Sequence, residues 1–496
     1  MLRSLLARPF AHLARRRLLR AAADPHGAQA RVLEQLRAKG RLTAFGREHD
    51  LAYLRGHADL ARRVPVRDYE GLRPYVDRVI AGESDVLWPG RPAYFAKTSG
   101  TTSGVKYIPL TRDSLPAHFG TARDAVLNHY ARTGRGAWLD GKMIFLSGSP
   151  ALEERGGIPT GRLSGISHHL VPSWAKRNQL PSYRTNCLED WPAKLDAVVA
   201  ETVGADLRLI SGIPPWVQMY FERLLAATGA GSVLEVFPNF SVFVYGGVNY
   251  EPYRAQLEAL MGGAVPSVET YPASEGFVAL QDGEPGEGLL LNVDAGIYFE
   301  FVPLAEALDP APTRLPLRDV ELGERYALVL STNAGLWGYA LGDVVEVVSV
   351  APYRVRVAGR VAHFISAFGE HVIGAEVEAA MREAVAAHGG RVTEFTVAPQ
   401  VNPAAGDLPH HEWLVDFAER PADEAAFAKT LDRAVRRRNI YYEDLRAGEV
   451  LRAAELTVVR PGAFRDYMAS RGRLGGQNKV PRLSDDRAVA EGVSGP

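Results

Sequence analysis

From residue 142 onward, short apolar runs rich in Val, Ile and Phe alternate with stretches whose apolar positions recur every three or four residues. The runs KMIFLSGS (142–149), DLRLISGIP (206–214), FSVFVYGG (240–247) and PSVETY (266–271) predict strands, and the periodic stretches near 192–203, 215–228 and 251–262 predict helices. Strand and helix in alternation predict an α/β fold with a mostly parallel sheet. From Leu289 to Val357 the rhythm changes: LLLNVDAGIYFEFVPL, ERYALVLSTN, DVVEVVSV and YRVRV follow one another with short breaks and predict antiparallel hairpins. Beyond Gly359-Arg360 come a helix with Val377, Met381, Ala384 and Val385 on one face, strands near 391–398 and 412–417, and a helix with Phe427, Leu431, Ala434 and Val435 on one face. A boundary near 362 is expected, giving a large N-terminal domain (1–362) and a small C-terminal α/β domain (363–496). Residues 31–75 are helical and charged, and predict an N-terminal cover. The first residues, MLRSLLARPFAHLARRRLLRAAAD, carry arginines at 3, 8, 15, 16, 17 and 20 with no acid before Asp24. They resemble a targeting segment in composition, but no small-residue cleavage site follows an apolar core. An amphipathic helix laid on the body with its arginines in water is expected. The residues from Ser484 read as a frayed tail.

Composition narrows the function classes. Formal net charge is −1, from 57 basic and 58 acidic residues, so no overall field favours nucleic acid or an anionic membrane, and a charged substrate has to be held locally. The longest weakly charged stretch, 236–250, is shorter than the roughly 20 residues of a membrane span and contains Pro238, Asn239 and a glycine pair. Cys187 is the single cysteine. It allows no intrachain disulfide and no cysteine metal site, reads as a small apolar filler, and suits a reducing, cytoplasmic location. Neither HExxH nor a Cys/His pattern occurs among the 13 histidines, and GxSxG is absent, so neither a zinc site nor a nucleophile elbow is expected. The sequence sets no oligomeric state.

The most informative segment runs from Lys97 to Thr111, KTSGTTSGVKYIPLT. Ser99, Thr101, Thr102 and Ser103 lie between or beside Gly100 and Gly104, and Lys106 follows. Glycines let backbone approach an anion, hydroxyl and N–H groups donate to phosphate oxygens, and lysine adds charge. The spacing predicts a phosphate-binding loop. It is not a Walker A loop, because the glycines are four apart and Val105 separates Gly104 from Lys106.

TAFGREHDL from Thr43, then VPVRDYEGLRPYVDRVIAGE, FAKTSGTTSGVKYIPLT and, near the end, GQNKVPRL occur in an order that resembles the auxin-responsive-promoter, or Gretchen Hagen, family of acyl-acid amido synthetases, within the adenylate-forming superfamily. The resemblance runs over roughly residues 30–483 and implies the adenylate-forming fold with a mobile C-terminal domain. It implies that Ser99, Gly100, Thr101, Thr102 and Ser103 cradle the phosphates of ATP. In Thr270-Tyr-Pro-Ala-Ser-Glu275-Gly it implies that Tyr271 lies against the adenine, Ser274 contacts the α-phosphate region and Glu275 helps hold Mg²⁺. A divalent ion there offsets the charge that repels an incoming carboxylate. Pro272 stands where relatives often have a small residue. Gly246-Gly247 would pass under the adenosine. Tyr339-Ala-Leu-Gly-Asp343 resembles the motif whose aspartate binds the ribose hydroxyls, with Ala340 where arginine is common. Arg360 matches a ribose contact at the hinge, and Lys479 matches the mobile catalytic lysine.

The resemblance therefore implies ATP-dependent adenylation of a small carboxylic acid, with release of pyrophosphate, and acyl transfer to an amine, in particular that of an amino acid. Two other readings share the nucleotide residues: a ligase that hands the acyl group to coenzyme A or a carrier thiol, and an inactive nucleotide-binding scaffold. Trp216, Tyr220 and residues 166–174 are equally readable as an acid pocket or as core.

Overall fold

The computed structural model describes all residues except 1, 100–104, 172–175, 189, 248–249, 362–363, 366, 371, 404–406, 472–479, 485 and 495–496. The chain divides into two compact units: Met1–Thr98 with Lys106–Leu188 and Lys194–Val361, and Ser99–Val105 with Glu189–Ala193 and Ala362–Pro496.

In the first unit the apolar runs form one twelve-stranded sheet. Gln179–Leu180, Lys142–Phe145, Leu207–Ser211, Val242–Gly246 and Ser267–Ala273 lie side by side and parallel. The sheet continues through Gly276–Leu280, Leu289–Leu291, Tyr353–Arg360, Tyr339–Val350, Arg325–Thr332, Ile297–Pro303 and Leu315–Pro316, every pair antiparallel. The two expected textures are thus halves of a single sheet. They meet at Ser267–Ala273, which is parallel to one neighbour and antiparallel to the other because Ala273 pairs with Gly276 across the two residues Ser274 and Glu275. Helices Pro214–Thr228 and Glu251–Met261 connect successive parallel strands, each started by a proline in its first turn and ended by a left-handed glycine, Gly229 or Gly262. A second sheet has the order Val105–Leu110, Tyr94–Ser99, Ile158–Gly161, Glu153–Arg155.

The N-terminal cover is helical, with helices Leu2–Ala23, Pro25–Gly40, Ala44–Glu48, His57–Arg63 and Tyr69–Ile80. Buried Gln29 fastens the second of these to the sheet: its amide donates to the carbonyls of Val293 and Ile297 and accepts from the Phe299 N–H. The first helix sets Ala11 and Ala14 against Leu127 and Tyr130 of Leu115–Thr133. Arg15 donates to the Asn128 side chain and Ser4 to Asp140, so the helix lies on the body as expected. Among the described residues no helix is long and apolar enough to cross a membrane.

In the second unit, helices Gly374–His388 and Glu424–Arg438 accompany a sheet of Arg391–Gln400, His410–Glu419 and Glu455–Val458. The stripe residues Val377, Met381 and Ala384, and Phe427, Leu431, Ala434 and Val435, are buried. The expected frayed tail is corrected: Ala488–Ser494 is a helix whose Val489, Ala490 and Val493 are buried in one cluster with Leu414, Phe464 and Met468. Such a short helix draws its stability from packing rather than from propensity.

Candidate active site

The carboxyl ends of Val242–Gly246 and Ser267–Ala273 lie side by side, at the edge where ligands bind in α/β sheets. Gly246 is in register with Thr270, and a Cβ on Gly246 would stand 2.2 Å from the Thr270 carbonyl oxygen. Only glycine lets the two backbones approach this closely. The Thr270 hydroxyl donates to the Tyr245 carbonyl at 2.9 Å, and Gly247 turns the chain with φ +78°.

One residue further along, the buried Tyr271 donates its hydroxyl to Asp343 Oδ2 at 2.5 Å. Burial and the adjoining carboxylate push the phenol well above its ordinary pKa, so it stays a donor. Asp343, on Tyr339–Val350, is in register opposite Arg360, on Tyr353–Arg360. Arg360 Nε lies 3.2 Å from Asp343 Oδ1, and the guanidinium also donates to the Leu341 carbonyl at 2.9 Å. Gly342 makes room for it: its φ is +87°, and a Cβ there would lie 2.8 Å from an Arg360 nitrogen. Both Asp343 oxygens are therefore anchored, and each keeps a second lone pair for a further donor.

Glu275 occupies the hairpin turn between Ser267–Ala273 and Gly276–Leu280 and is only 8% exposed. Burial pushes its pKa up, against the opposing pull of the Lys106 ammonium and a hydrogen bond from the Tyr339 hydroxyl. Lys106, on Val105–Leu110, is in turn held below the usual lysine range by burial, which the Glu275 charge partly offsets. The pairing is crossed. Tyr271, beside the turn, serves the aspartate of Tyr339–Val350, and Tyr339, on that strand, serves the glutamate of the turn.

Tyr271, Glu275, Asp343 and Arg360 are thus brought together, with Gly246 one strand away and Ser274, half-buried, in the turn beside Glu275. Gly100, Thr101, Thr102, Ser103 and Lys479 lie outside the described residues, and Ser99 is described only as the backbone end of Tyr94–Ser99. Two contacts escaped the sequence reading. Lys106 reads there as charge for a phosphate, not as a neighbour of Glu275, and Tyr339 only as the opening letter of a motif; the signal available was each residue's place in a segment already singled out. Among the described residues no group of three or more His, Cys, Asp or Glu side chains is placed to hold a metal. A lone buried carboxylate fits Mg²⁺ that arrives with phosphate and water ligands of its own, since that ion keeps several waters and takes one or two protein carboxylates.

Comparison with known proteins agrees along the chain. Three family regions match in order: the GH3 family N-terminal domain over residues 14–170, the central domain over 290–360 and the C-terminal domain over 375–488. Indole-3-acetic acid-amido synthetase GH3.8 of Oryza sativa subsp. indica is 30% identical over 94% of this chain and 91% of its own length. Jasmonoyl--L-amino acid synthetase JAR4 of Nicotiana attenuata is 23% identical over 57% of this chain, a match that spans 60% of that relative's length. Among solved structures, the AtGH3.15 acyl acid amido synthetase in complex with 2,4-DB has the same fold, with a TM-score of 0.62, 17% identity, and coverage of 97% of this chain and 95% of that one. With a relative 30% identical along nearly its whole length and matching domains at its start, middle and end, the chain belongs to the GH3 family.

Proposed function

We propose that this chain is an ATP-dependent acyl-acid amido synthetase that joins a small carboxylic acid to an amino acid. The observation that carries the reading is the doubly anchored Asp343 beside the buried Glu275 and Lys106. It offers a fixed two-oxygen acceptor for a ribose diol, next to a carboxylate and an ammonium suited to a magnesium-bound triphosphate. In the first half-reaction a carboxylate oxygen of the acid attacks the α-phosphorus, and the bond to pyrophosphate breaks. In the second, the amine nitrogen attacks the acyl carbon, the bond to AMP breaks, and the nitrogen gives up a proton.

In this reading Asp343 and Arg360 hold the ribose, Tyr271 lines the adenosine side, and Gly246-Gly247 passes beneath it. Ser99, Gly100, Thr101, Thr102 and Ser103 cradle the phosphates, and Ser274 faces the α-phosphate. Glu275 holds Mg²⁺, which supplies charge neutralisation when bound. Lys479 balances charge on the attacking carboxylate and α-phosphate. Residues 1–362 act as the adenylation domain and 363–496 as a lid that changes position between halves. Most of the rate comes from orientation and preorganised charge.

Pyrophosphate release across a panel of aryl, indolyl and aliphatic acids, followed by product analysis with amino acids, hydroxylamine and coenzyme A, tests the proposal. Acid-dependent pyrophosphate release with amide or hydroxamate products is expected. A thioester as the sole product would assign the chain to thiol ligation, and no acid-dependent release in a folded, ATP-binding protein would leave a scaffold.

A further inference from the structure

The helix Leu2–Ala23 packs a mostly small face, four alanines and one leucine, against the body and leaves most of its large side chains exposed. Ala7, Ala11, Ala14, Leu18 and Ala21 follow at intervals of four and three and form the face on the body. Along one exposed flank, about a quarter turn round from that face, the same intervals carry Arg3, Leu6, Phe10, Leu13, Arg17 and Arg20, a row of three large apolar side chains with arginine at both ends. Leu6 is 62% exposed, Phe10 66% and Leu13 46%. Leu5, Leu19, Arg8 and Arg16 are exposed elsewhere around the helix. Five of the sixteen large hydrophobic side chains exposed among the described residues are on this one helix, and a concentration of that kind marks an interaction surface.

We propose that the exposed flank of Leu2–Ala23 that carries this row binds an anionic lipid surface, with Leu6, Phe10 and Leu13 entering the acyl boundary and the flanking arginines meeting the headgroups. Charge and shape select this occupant. Residues 1–23 contain six arginines and no acid, so the partner has to be anionic. An isologous contact with a second copy would set the same arginines against each other. A nucleic-acid backbone would be met by the arginines alone and gives no account of the three apolar side chains. A basic helix with an apolar ridge lying in the plane of the interface uses both, because arginine stems lie along apolar surface while their heads stay wet. The helix is tied to the body through Arg15 to Asn128 and Ser4 to Asp140, so it meets the membrane already folded and without the cost of ordering a free peptide. Whole-chain charge hides this feature, because acids elsewhere bring the formal total to −1.

The experiment is co-sedimentation of the full chain with phosphatidylcholine vesicles containing phosphatidylglycerol, against pure phosphatidylcholine vesicles, with wild type, Phe10→Ser together with Leu13→Ser, and Arg16→Gln, Arg17→Gln and Arg20→Gln combined. Preference for the anionic vesicles is expected, weakened by salt and by both variants. At about fivefold per arginine near such a surface, the triple variant loses roughly a hundredfold in partition. Circular dichroism and acid-dependent pyrophosphate release stay unchanged in both, since these side chains touch no residue of the candidate site. Equal recovery with both vesicle types in wild type overturns the proposal. So does concentration-dependent dimerisation abolished by the serine variant in a protein that ignores vesicles, or retention on an anionic polymer that only the arginine variant reduces.

Discussion

Asp343 takes its orientation from two residues on different strands, Tyr271 on one oxygen and Arg360 on the other, and each support can be removed alone. Tyr271→Phe keeps the ring and deletes one hydrogen bond to a charged group, an interaction of about 1.5–3 kcal/mol. The expected outcome is a rise of about tenfold in KM for ATP with a smaller change in kcat, and Asp343→Ala should lose more; calorimetry with ATP and with its deoxyribose analogue checks both. Normal ATP affinity in Asp343→Ala would remove the ribose assignment. Glu275 gives a prediction of opposite sign for stability. Its folded pKa is raised by burial, so between the unfolded carboxylate range and that raised value the folded chain holds more protons than the unfolded one, and stability falls as pH rises. Glu275→Gln keeps an acceptor for Tyr339 and lacks this loss. Its melting temperature should exceed that of wild type at neutral pH by a margin that shrinks as pH is lowered through the carboxylate range, while ATP-dependent activity drops. A wild-type melting temperature equal or higher at neutral pH would mean that Glu275 is ionised in the fold without cost.

Elements show best what the sequence could and could not say. The apolar runs at 206–214 and 240–247 became strands because a strand buried on both faces is written in its own letters. The crossed tyrosine–carboxylate pairs were invisible in the same letters, since Tyr271 meets Asp343 only through a register that passes over five intervening strands in sequence. The terminal helix was missed for a different reason. Ala488–Ser494 has a glycine in its interior and weak helical signals, yet Gly492 is what admits the Tyr467 ring, which would lie 2.3 Å from a Cβ at that position. Deleting residues 488–496 uncovers the cluster around Phe464 and Met468. At about 1.5–3 kcal/mol for each large buried side chain, the second unit should lose several kcal/mol, read as earlier proteolysis and faster amide exchange confined to residues 391–470. Unaltered exchange there would show that the helix adds nothing to that core. Gly342→Ala belongs to the same scale. It forces an L side chain into φ +87° and into the Arg360 guanidinium, so a loss of about 1–2 kcal/mol in denaturant melts is expected, together with weaker ATP binding because Arg360 is displaced from Asp343.

At the scale of the whole molecule the question is whether two units divide one reaction between them. Arg360 ends the strand that carries the Asp343 anchor, and the first unit closes one residue later at Val361, whose N–H donates to the Gly342 carbonyl at 2.9 Å. A proline at 361 would break that bond and disturb the neighbouring Asp343–Arg360 pair, so the joint has to be stiffened one residue further on, with Ala362→Pro. Paired with Lys479→Ala, this variant separates two effects that a passive nucleotide binder would not show. If Lys479 acts on the α-phosphate and attacking carboxylate, the interaction is strongest in the first transition state and appears in its rate. Lys479→Ala should depress pyrophosphate exchange by about a hundredfold or more, the usual effect of deleting one electrostatic contact to a developing charge, while transfer from a supplied acyl-adenylate to an amino acid stays within a few fold of wild type. Ala362→Pro should leave ATP affinity intact and change the ratio of the two half-reactions, because a joint that must absorb backbone rotation has lost a degree of freedom. Both half-reactions are measured on each variant, with circular dichroism to confirm the fold. An equal loss of both in Lys479→Ala, or an unchanged ratio in Ala362→Pro, would mean that adenylation and transfer run in one fixed arrangement of the chain.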